Sequence, residues 1–339
     1  MTTPQHIRLA DYTTMRLGGP SRMVTAGTAD ELADAVREAD DAGSPVLLLG
    51  GGSNLVIADD GFAGATIRIA TAGEDRCDDG DTVLLDLAAG ENWDDLVART
   101  VDDGLSGLEC LSGIPGLVGA TPVQNVGAYG AEIADVLEAV EVLDRSAGSV
   151  VTMGAADCGF GYRTSVFKHS RQYVVLSVRL RLTRSPLSAP IRYAELARTL
   201  GVQPGERAPL GEVRAAVVGL RRSKGMVLDP DDHDTWSAGS FFTNPIVPPQ
   251  AVPDGAPAYD AGDGLVKASA AWLIDHAGFQ KGYGNDRVSL STKHTLALTN
   301  RGGASTEDLI ALAREVRDGV QGRFAIELTP EPLLIGCRL

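Results

Sequence analysis

Two glycine-rich segments constrain this chain more than any other feature. The first, "LLLGGGSNLV" (residues 47–56), sets three consecutive glycines directly after an apolar run. The second, "SGIPGLVGATPVQNVGAYG" (residues 112–130), carries glycines at 113, 116, 119, 127 and 130, two prolines and no charged side chain. Consecutive glycines expose backbone N–H groups and admit positive φ, so the first loop suits an anion-binding nest around a diphosphate. Taken alone it reads nearly as well as a tight strand-to-loop turn. It is not the GxGxxG of a Rossmann fold, and no GKS or GKT follows to make it a P-loop. A long, uncharged connection like the second tends to be functional. Its Gln124 and Asn125 suit a flat polar heterocycle, and Gly127 and Ala128 allow close approach. Together the loops point to a dinucleotide bound outside a Rossmann setting.

Length and composition narrow the classes. A chain of 339 residues exceeds one ordinary core and implies two or three domains. The net charge of −15 argues against a nucleic-acid partner, which calls for a basic patch. No apolar run nears the roughly 20 residues of a membrane helix, and "MTTPQHIRLADYTTM" lacks the form of a signal peptide, so a cytoplasmic location is expected. Cys77, Cys110, Cys158 and Cys337 are widely spaced without CxxC, so reduced thiols and no metal site are expected.

Local patterns supply elements of both kinds. A helix is predicted over 28–41, with Thr28 as N-cap and Leu32, Val36 and Ala39 on one face. Further helices are read at "NWDDLVARTVDDG", "AELARTL", "LGEVRAAVVGLRRSKG", "KASAAWLIDHAG" and positions 305–322, the last capped by Ser305 or Thr306. Strands are read at "TVLLDLAAG", "LEAVEVLDRSAGSVVTM" and "QYVVLSVRLRL", the last alternating as a half-buried strand does. Residues 229–262 read as largely loop, and "IELTPEPLLIGCRL" as a closing strand.

Five more segments occur in order with the two loops: "TTMRLGGP", "GYRTSVFK", "RRSKG", "GSFFTNP" and "LTPEPLLIG". With all seven in place, the chain resembles the UDP-N-acetylenolpyruvoylglucosamine reductases over nearly its whole length. These are flavoenzymes of bacterial peptidoglycan precursor synthesis. The resemblance implies an α+β fold: a two-lobed FAD-binding domain of the vanillyl-alcohol-oxidase (PCMH) type plus a separate α+β substrate-binding domain. The lobes would take 1–66 with 329–339, and 67–224; the substrate domain would take 225–328. It implies non-covalent FAD, with Gly50, Gly51, Gly52, Ser53, Asn54 and Leu55 at the pyrophosphate. Ile114, Pro115, Gly116, Gly119, Ala120, Thr121, Gln124, Asn125, Gly127, Ala128 and Tyr129 would follow the ribityl chain and isoalloxazine. A monomer acting on NADPH and a UDP-sugar, without nucleic acid or membrane, is expected.

The implied reaction reduces FAD with NADPH and then passes hydride from flavin N5 to C3 of the enolpyruvyl group. Density left on C2 and its carboxylate calls for a cation or hydrogen bonds there and a proton donor at C2. Carried over by motif, Arg163 and Glu331 sit at the carboxylate and Ser240 protonates C2. Tyr162, Lys224 and Asn244 read as substrate contacts, and Tyr193 as a loop tyrosine closing over the nucleotide. Read alone, Arg163 is a surface arginine, Lys224 a solvated lysine, Tyr193 a core-facing ring, and "GSFFTNP" a loop closed by Pro245. Phe241 and Phe242 are expected to keep water from Ser240, unless one faces the core. An oxidase of sugars or alcohols with covalent FAD is the rival, with Cys110 as its nearest thiol. A nucleotide-binding protein without catalysis would leave Arg163, Ser240 and Glu331 unexplained. Ala120 replaces a second glycine common in the family, and "GMVLDPDDHD" replaces a shorter turn after "RRSK".

Overall fold

Helix α1 (Ala29–Asp41) begins where Thr28 accepts the Glu31 N–H, satisfying one of the amides a helix start leaves open. It buries Leu32, Val36 and Ala39, the predicted face, together with Ala33 and Ala35. The helix belongs to a computed structural model that describes residues 3–339, so the first two residues of the expected segment 1–66 lie outside it. The chain packs as two compact units. Of the described residues, one comprises 3–5, 22–51 and 63–222; the other comprises His6–Ser21, Gly52–Phe62 and Ser223–Leu339.

In the first unit, strands Pro20–Ala26 and Val46–Leu49 both run parallel to Ala65–Ile69. An antiparallel sheet follows in the order Ser149–Gly154, Leu137–Asp144, Tyr173–Arg184, Thr82–Ala88, Glu74–Asp79. The long strand Tyr173–Arg184 alternates only in its second half, where Val178, Leu180 and Leu182 are buried. Val174, Val175 and Leu176 are all buried, because one face meets the α1 residues and the other meets a second core. That second core is centred on α2 (Trp93–Asp102), capped by Asn92, whose Trp93 donates Nε1–H to the Leu111 carbonyl at 3.1 Å. Two further helices, α3 (Ala194–Leu200) and α4 (Leu210–Ser223), enclose a small cluster with Cys110, Ile191 and Val213.

The second unit is built on α5 (Ala270–His276) and α6 (Thr306–Phe324), whose Leu273, Ile274, Leu309, Ala313 and Val316 share a core with Phe241 and Phe242. Ser305 and Asp308 form the expected capping box of α6, and Asp59 adds acceptors for the Thr306 and Glu307 N–H groups. Strand Leu55–Ile57 pairs in parallel with Leu333–Ile335.

One expectation needs correction and one a refinement. The closing strand is only Leu333–Ile335, because Pro330 and Pro332 remove ladder donors upstream of it. Residues 229–262 are mostly irregular, but Ala258–Gly262 forms a hairpin with Leu265–Ala268 across a turn at Asp263 (φ 52°) and Gly264. The mixture of a parallel layer, an antiparallel sheet and packed helices makes the fold α+β.

Candidate active site

The two glycine loops meet within the first unit. A Cβ on Gly51 would lie 2.8 Å from the Gly116 Cα, so neither loop can hold its course with a side chain at 51. Among the described residues, neither the Gly51 nor the Gly116 N–H donates to a protein acceptor. In the second unit, Gly52 has φ +60° and its Cβ would fall 1.9 Å from the Tyr12 carbonyl oxygen. Its own carbonyl accepts the Thr14 N–H. Ser53, Asn54 and Leu55 are half-buried. Gly50 packs against Leu117.

The second loop is braced from both ends. Asp94 on α2 accepts the Gly113 N–H at 2.6 Å and pairs with both guanidinium nitrogens of Arg214, at 2.6 and 3.1 Å. Burial acts to raise the Asp94 carboxyl, but Arg214 and the Gly113 N–H outweigh it and hold the group below the usual range. Arg221, one face of α4 further on, donates Nε–H to the Gly113 carbonyl at 3.0 Å. Burial pushes its pKa down, against the pull of Tyr129 and Asp94, and Arg163 nearby adds like-charge repulsion.

Along the loop, Gly116 O accepts the Trp93 N–H, and Val118 and Gly119 donate to Glu91 and Ala89. Ile114 is half-buried; Pro115 and Ala120 are exposed. Thr121 is buried and spends its hydroxyl on the Val118 carbonyl at 2.8 Å. Gln124 is half-buried. Asn125 is buried and its side chain bonds within the protein. Its amide donates to Glu132 (2.7 Å) and Gly161 O (3.2 Å) and accepts the Ala134 N–H (3.1 Å). Its side chain therefore braces the loop from behind, and its φ of 46° suits an asparagine.

Gly127 and Ala128 pair with Glu132 and Ala131, and the Gly127 carbonyl accepts Arg163 Nη2 at 2.8 Å. Arg163 itself has φ 52°, held by the Gly161–Thr164 turn and by Lys168 donating to its carbonyl. A bulky residue there costs roughly 1–3 kcal/mol of strain. Tyr162 lies with its ring 5.6 Å from the Arg163 guanidinium carbon. Tyr129 meets Tyr193 edge-on at 5.4 Å, and burial lifts the Tyr129 phenol to about 12. Tyr193 is 43% exposed at the start of α3, so it does not face the core.

The second unit assembles a separate set. Phe241 and Phe242 are each 1% exposed, with rings 5.1 Å apart and edge-on, inside the core. They anchor the loop in the core, where both rings lie rather than the one allowed for. The segment after Ser240 runs antiparallel to the "TPEP" segment. Glu331 N–H donates to Phe241 O at 2.8 Å, Phe242 bridges Pro330, and Thr243 N–H donates to Thr329 O. This register pairs Phe241 with Glu331 and puts half-buried Ser240 one residue further along, level with Pro332. Asn54 joins them, its carbonyl accepting the Leu333 N–H at 3.0 Å and its amide reaching Glu331 O at 3.5 Å. Asn244 commits Oδ1 to the Ala270 N–H at the start of α5. Lys224 precedes buried Gly225, which packs against Asp234.

Sequence reasoning missed Asp94, Arg214, Arg221 and Glu132. The one available signal was the seven-residue spacing of Arg214 and Arg221, which puts both on one face of α4.

Comparison with known proteins agrees with this geometry. A profile described as "FAD binding domain" matches residues 20–154, and one for the "UDP-N-acetylenolpyruvoylglucosamine reductase, C-terminal domain" matches 229–335. UDP-N-acetylenolpyruvoylglucosamine reductases of Saccharopolyspora erythraea and Thermobifida fusca are 59% and 56% identical. The matches cover 98% and 100% of this chain and 95% and 100% of theirs. The crystal structure of the Thermus caldophilus reductase superposes with a TM-score of 0.68 at 30% identity, over 99% of this chain and 100% of that one. The fold and its glycine loops are those of an FAD-dependent oxidoreductase. Within that class the chain belongs to the UDP-N-acetylenolpyruvoylglucosamine reductase family. The residues fit the cofactor: glycines too close for a Cβ, amides left for an outside acceptor, and a half-buried arginine at the loop's start.

Among the described residues no helix is long and apolar enough to cross a membrane.

Proposed function

We propose that this chain reduces UDP-N-acetylglucosamine enolpyruvate to UDP-N-acetylmuramate with NADPH as reductant, in peptidoglycan precursor synthesis. The observation that carries the proposal is the antiparallel pairing of the "GSFF" and "TPEP" segments, with Ser240 next along the chain from Phe241, the residue that accepts the Glu331 N–H. When bound, FAD supplies the hydride relay from NADPH to C3 of the enol ether. Gly50 to Leu55 hold its diphosphate, and the loop from Ile114 to Tyr129 lines the rest. As C3 gains hydride, electron density moves to C2 and the carboxylate. Arg163 offsets that charge, and Glu331, carrying a proton, donates a hydrogen bond to the carboxylate. Ser240 Oγ–H gives its proton to C2, and the hydroxyl is restored from solvent. Tyr162, Lys224, Asn244 and Tyr193 bind the nucleotide sugar.

The same reading gives 1–66 with 329–339 and 67–224 to the FAD-binding lobes and 225–328 to the substrate. It describes a cytoplasmic monomer acting on small molecules. Covalent flavin attachment through Cys110, as the oxidase rival needs, is disfavoured. Burial first, then Glu109, pushes that thiol up to about 12, so no thiolate is on hand.

An anaerobic absorption experiment tests the proposal. NADPH should bleach the flavin and the enolpyruvyl substrate should restore it. Ser240→Ala should leave bleaching near wild type and slow recovery by about 10²–10⁴-fold, the range for one general acid. Recovery with oxygen alone would support the oxidase instead. Loss of both halves together would make Ser240 a structural residue.

A further inference from the structure

The segment that departs from the family's shorter turn, "GMVLDPDDHD", leads into Ser240 and carries one deeply buried carboxylate. Asp234 is 5% exposed. Its Oδ1 accepts the Thr292 N–H at 3.0 Å and Arg301 Nη1 at 2.9 Å, and its Oδ2 accepts the Thr292 hydroxyl. Its backbone carbonyl also lies where a Cβ on Gly225, the residue after Lys224, would sit 3.1 Å away. A carboxylate so thoroughly bonded fixes the chain that bears it against Thr292 and Arg301.

The next residues carry that fixation to Ser240. Trp236 is held between the Arg16 guanidinium, 4.1 Å from its ring centre, and the His233 ring at 4.2 Å. Its carbonyl accepts the Asn300 N–H at 3.1 Å. Its indole N–H is buried without a hydrogen-bond partner, so the ring acts by packing. Ser237 O accepts the Thr14 hydroxyl at 2.7 Å, and Ser237 Oγ accepts the Gly239 N–H at 3.2 Å. Phe241 N–H then donates to Leu296 O at 2.7 Å. Ser240 thus hangs between two clamps. The downstream one is apolar core; the upstream one depends on the ion pair of buried Asp234 with half-buried Arg301.

We infer that Asp234 is a positioning residue for Ser240, its pair with Arg301 holding the upstream clamp. The inference rests on the reading of Ser240 as the proton donor to C2. Asp234→Asn keeps the shape and loses the charge. In the FAD-loaded enzyme it should slow flavin reoxidation by the enolpyruvyl substrate on the order of 10- to 100-fold, the cost of a small misplacement. Flavin reduction by NADPH should stay near wild type. In a Ser240→Ala background the same change should add nothing, since the group being positioned is gone. Arg301→Gln, which leaves the Thr292 bonds to Asp234 intact, should repeat the pattern.

Amide hydrogen exchange gives an independent reading. Both single variants should raise exchange at Gly239, Ser240 and Phe241 while α6 stays protected. Additive slowing with Ser240→Ala, or unchanged exchange at 239–241, would overturn the inference and leave the proton-donor reading standing. Fast reoxidation in Ser240→Ala alone would remove that reading, and the inference with it.

Discussion

Gly51→Ala tests the contact between the glycine loops. The new methyl would sit 2.8 Å from the Gly116 Cα, about 0.7 Å inside the roughly 3.5 Å at which carbon atoms rest. The obstacle is backbone, and Gly116 is itself held through its carbonyl by Trp93, so it has little freedom to withdraw. Overpacking of this kind costs about 1–3 kcal/mol. Because the strain falls on the amides facing an outside acceptor, most of it should appear in cofactor binding. At about 1.4 kcal/mol per tenfold, FAD should bind roughly 5- to 150-fold more weakly. The assay is titration of FAD-stripped protein, followed by flavin fluorescence, with thermal unfolding in parallel. Gly219→Ala is the control: it lies in α4, and a Cβ there meets nothing within 4 Å. It should raise stability by about 1 kcal/mol and leave FAD affinity unchanged. If Gly51→Ala bound FAD as tightly as Gly219→Ala, the loop contact would not shape the cofactor site.

Other expectations follow from the same geometry. Asn125→Ala, which removes three hydrogen bonds from a buried site, should cost about 2–4 kcal/mol in denaturant unfolding, with FAD retention falling in step. Phe242→Ala should cost about 3–5 kcal/mol and slow reoxidation, because it loosens the downstream clamp on Ser240. Asp94 has its folded pKa depressed below the ordinary 3.8, so its stabilisation is present above that value and lost as pH falls through the lower folded value. Asp94→Asn should therefore lower stability at neutral pH and flatten the decline below about pH 4, measured by thermal unfolding across pH. Exposed Cys77 should react with a thiol reagent well before Cys110, whose thiol is pushed up to about 12.

Much of the fold was legible because its signals are local. Thr28 and Ser305 cap the helices they were expected to cap, and the 3.6-residue period of 28–41 picked the buried face correctly. The unread parts depend on partners far away in the chain. Asp94 pairs with Arg214 across 120 residues, and no spacing rule announces such a pair. Asn125 looked like a ligand-facing amide because the sequence does not tell which way a side chain turns; Glu132 and Gly161 take it inward. Phe241 and Phe242 beside a serine suggested a screened pocket, yet α5 and α6 supply the apolar core that claims both rings. The hairpin at 258–268 went unread because its first strand is exposed throughout and its second buries only Ala268, so neither shows an apolar face.

The parallel pairing of Leu55–Ile57 with Leu333–Ile335 bears on the order of events during synthesis. Val56 and Ile57 are fully buried in the finished protein, yet the strand beside them is translated some 280 residues later. At about 5–20 residues per second, the earlier strand waits roughly 15–55 s with its apolar face open. The segment that closes the first glycine loop is therefore a natural client for a ribosome-side chaperone, and one of the last parts of the chain to settle.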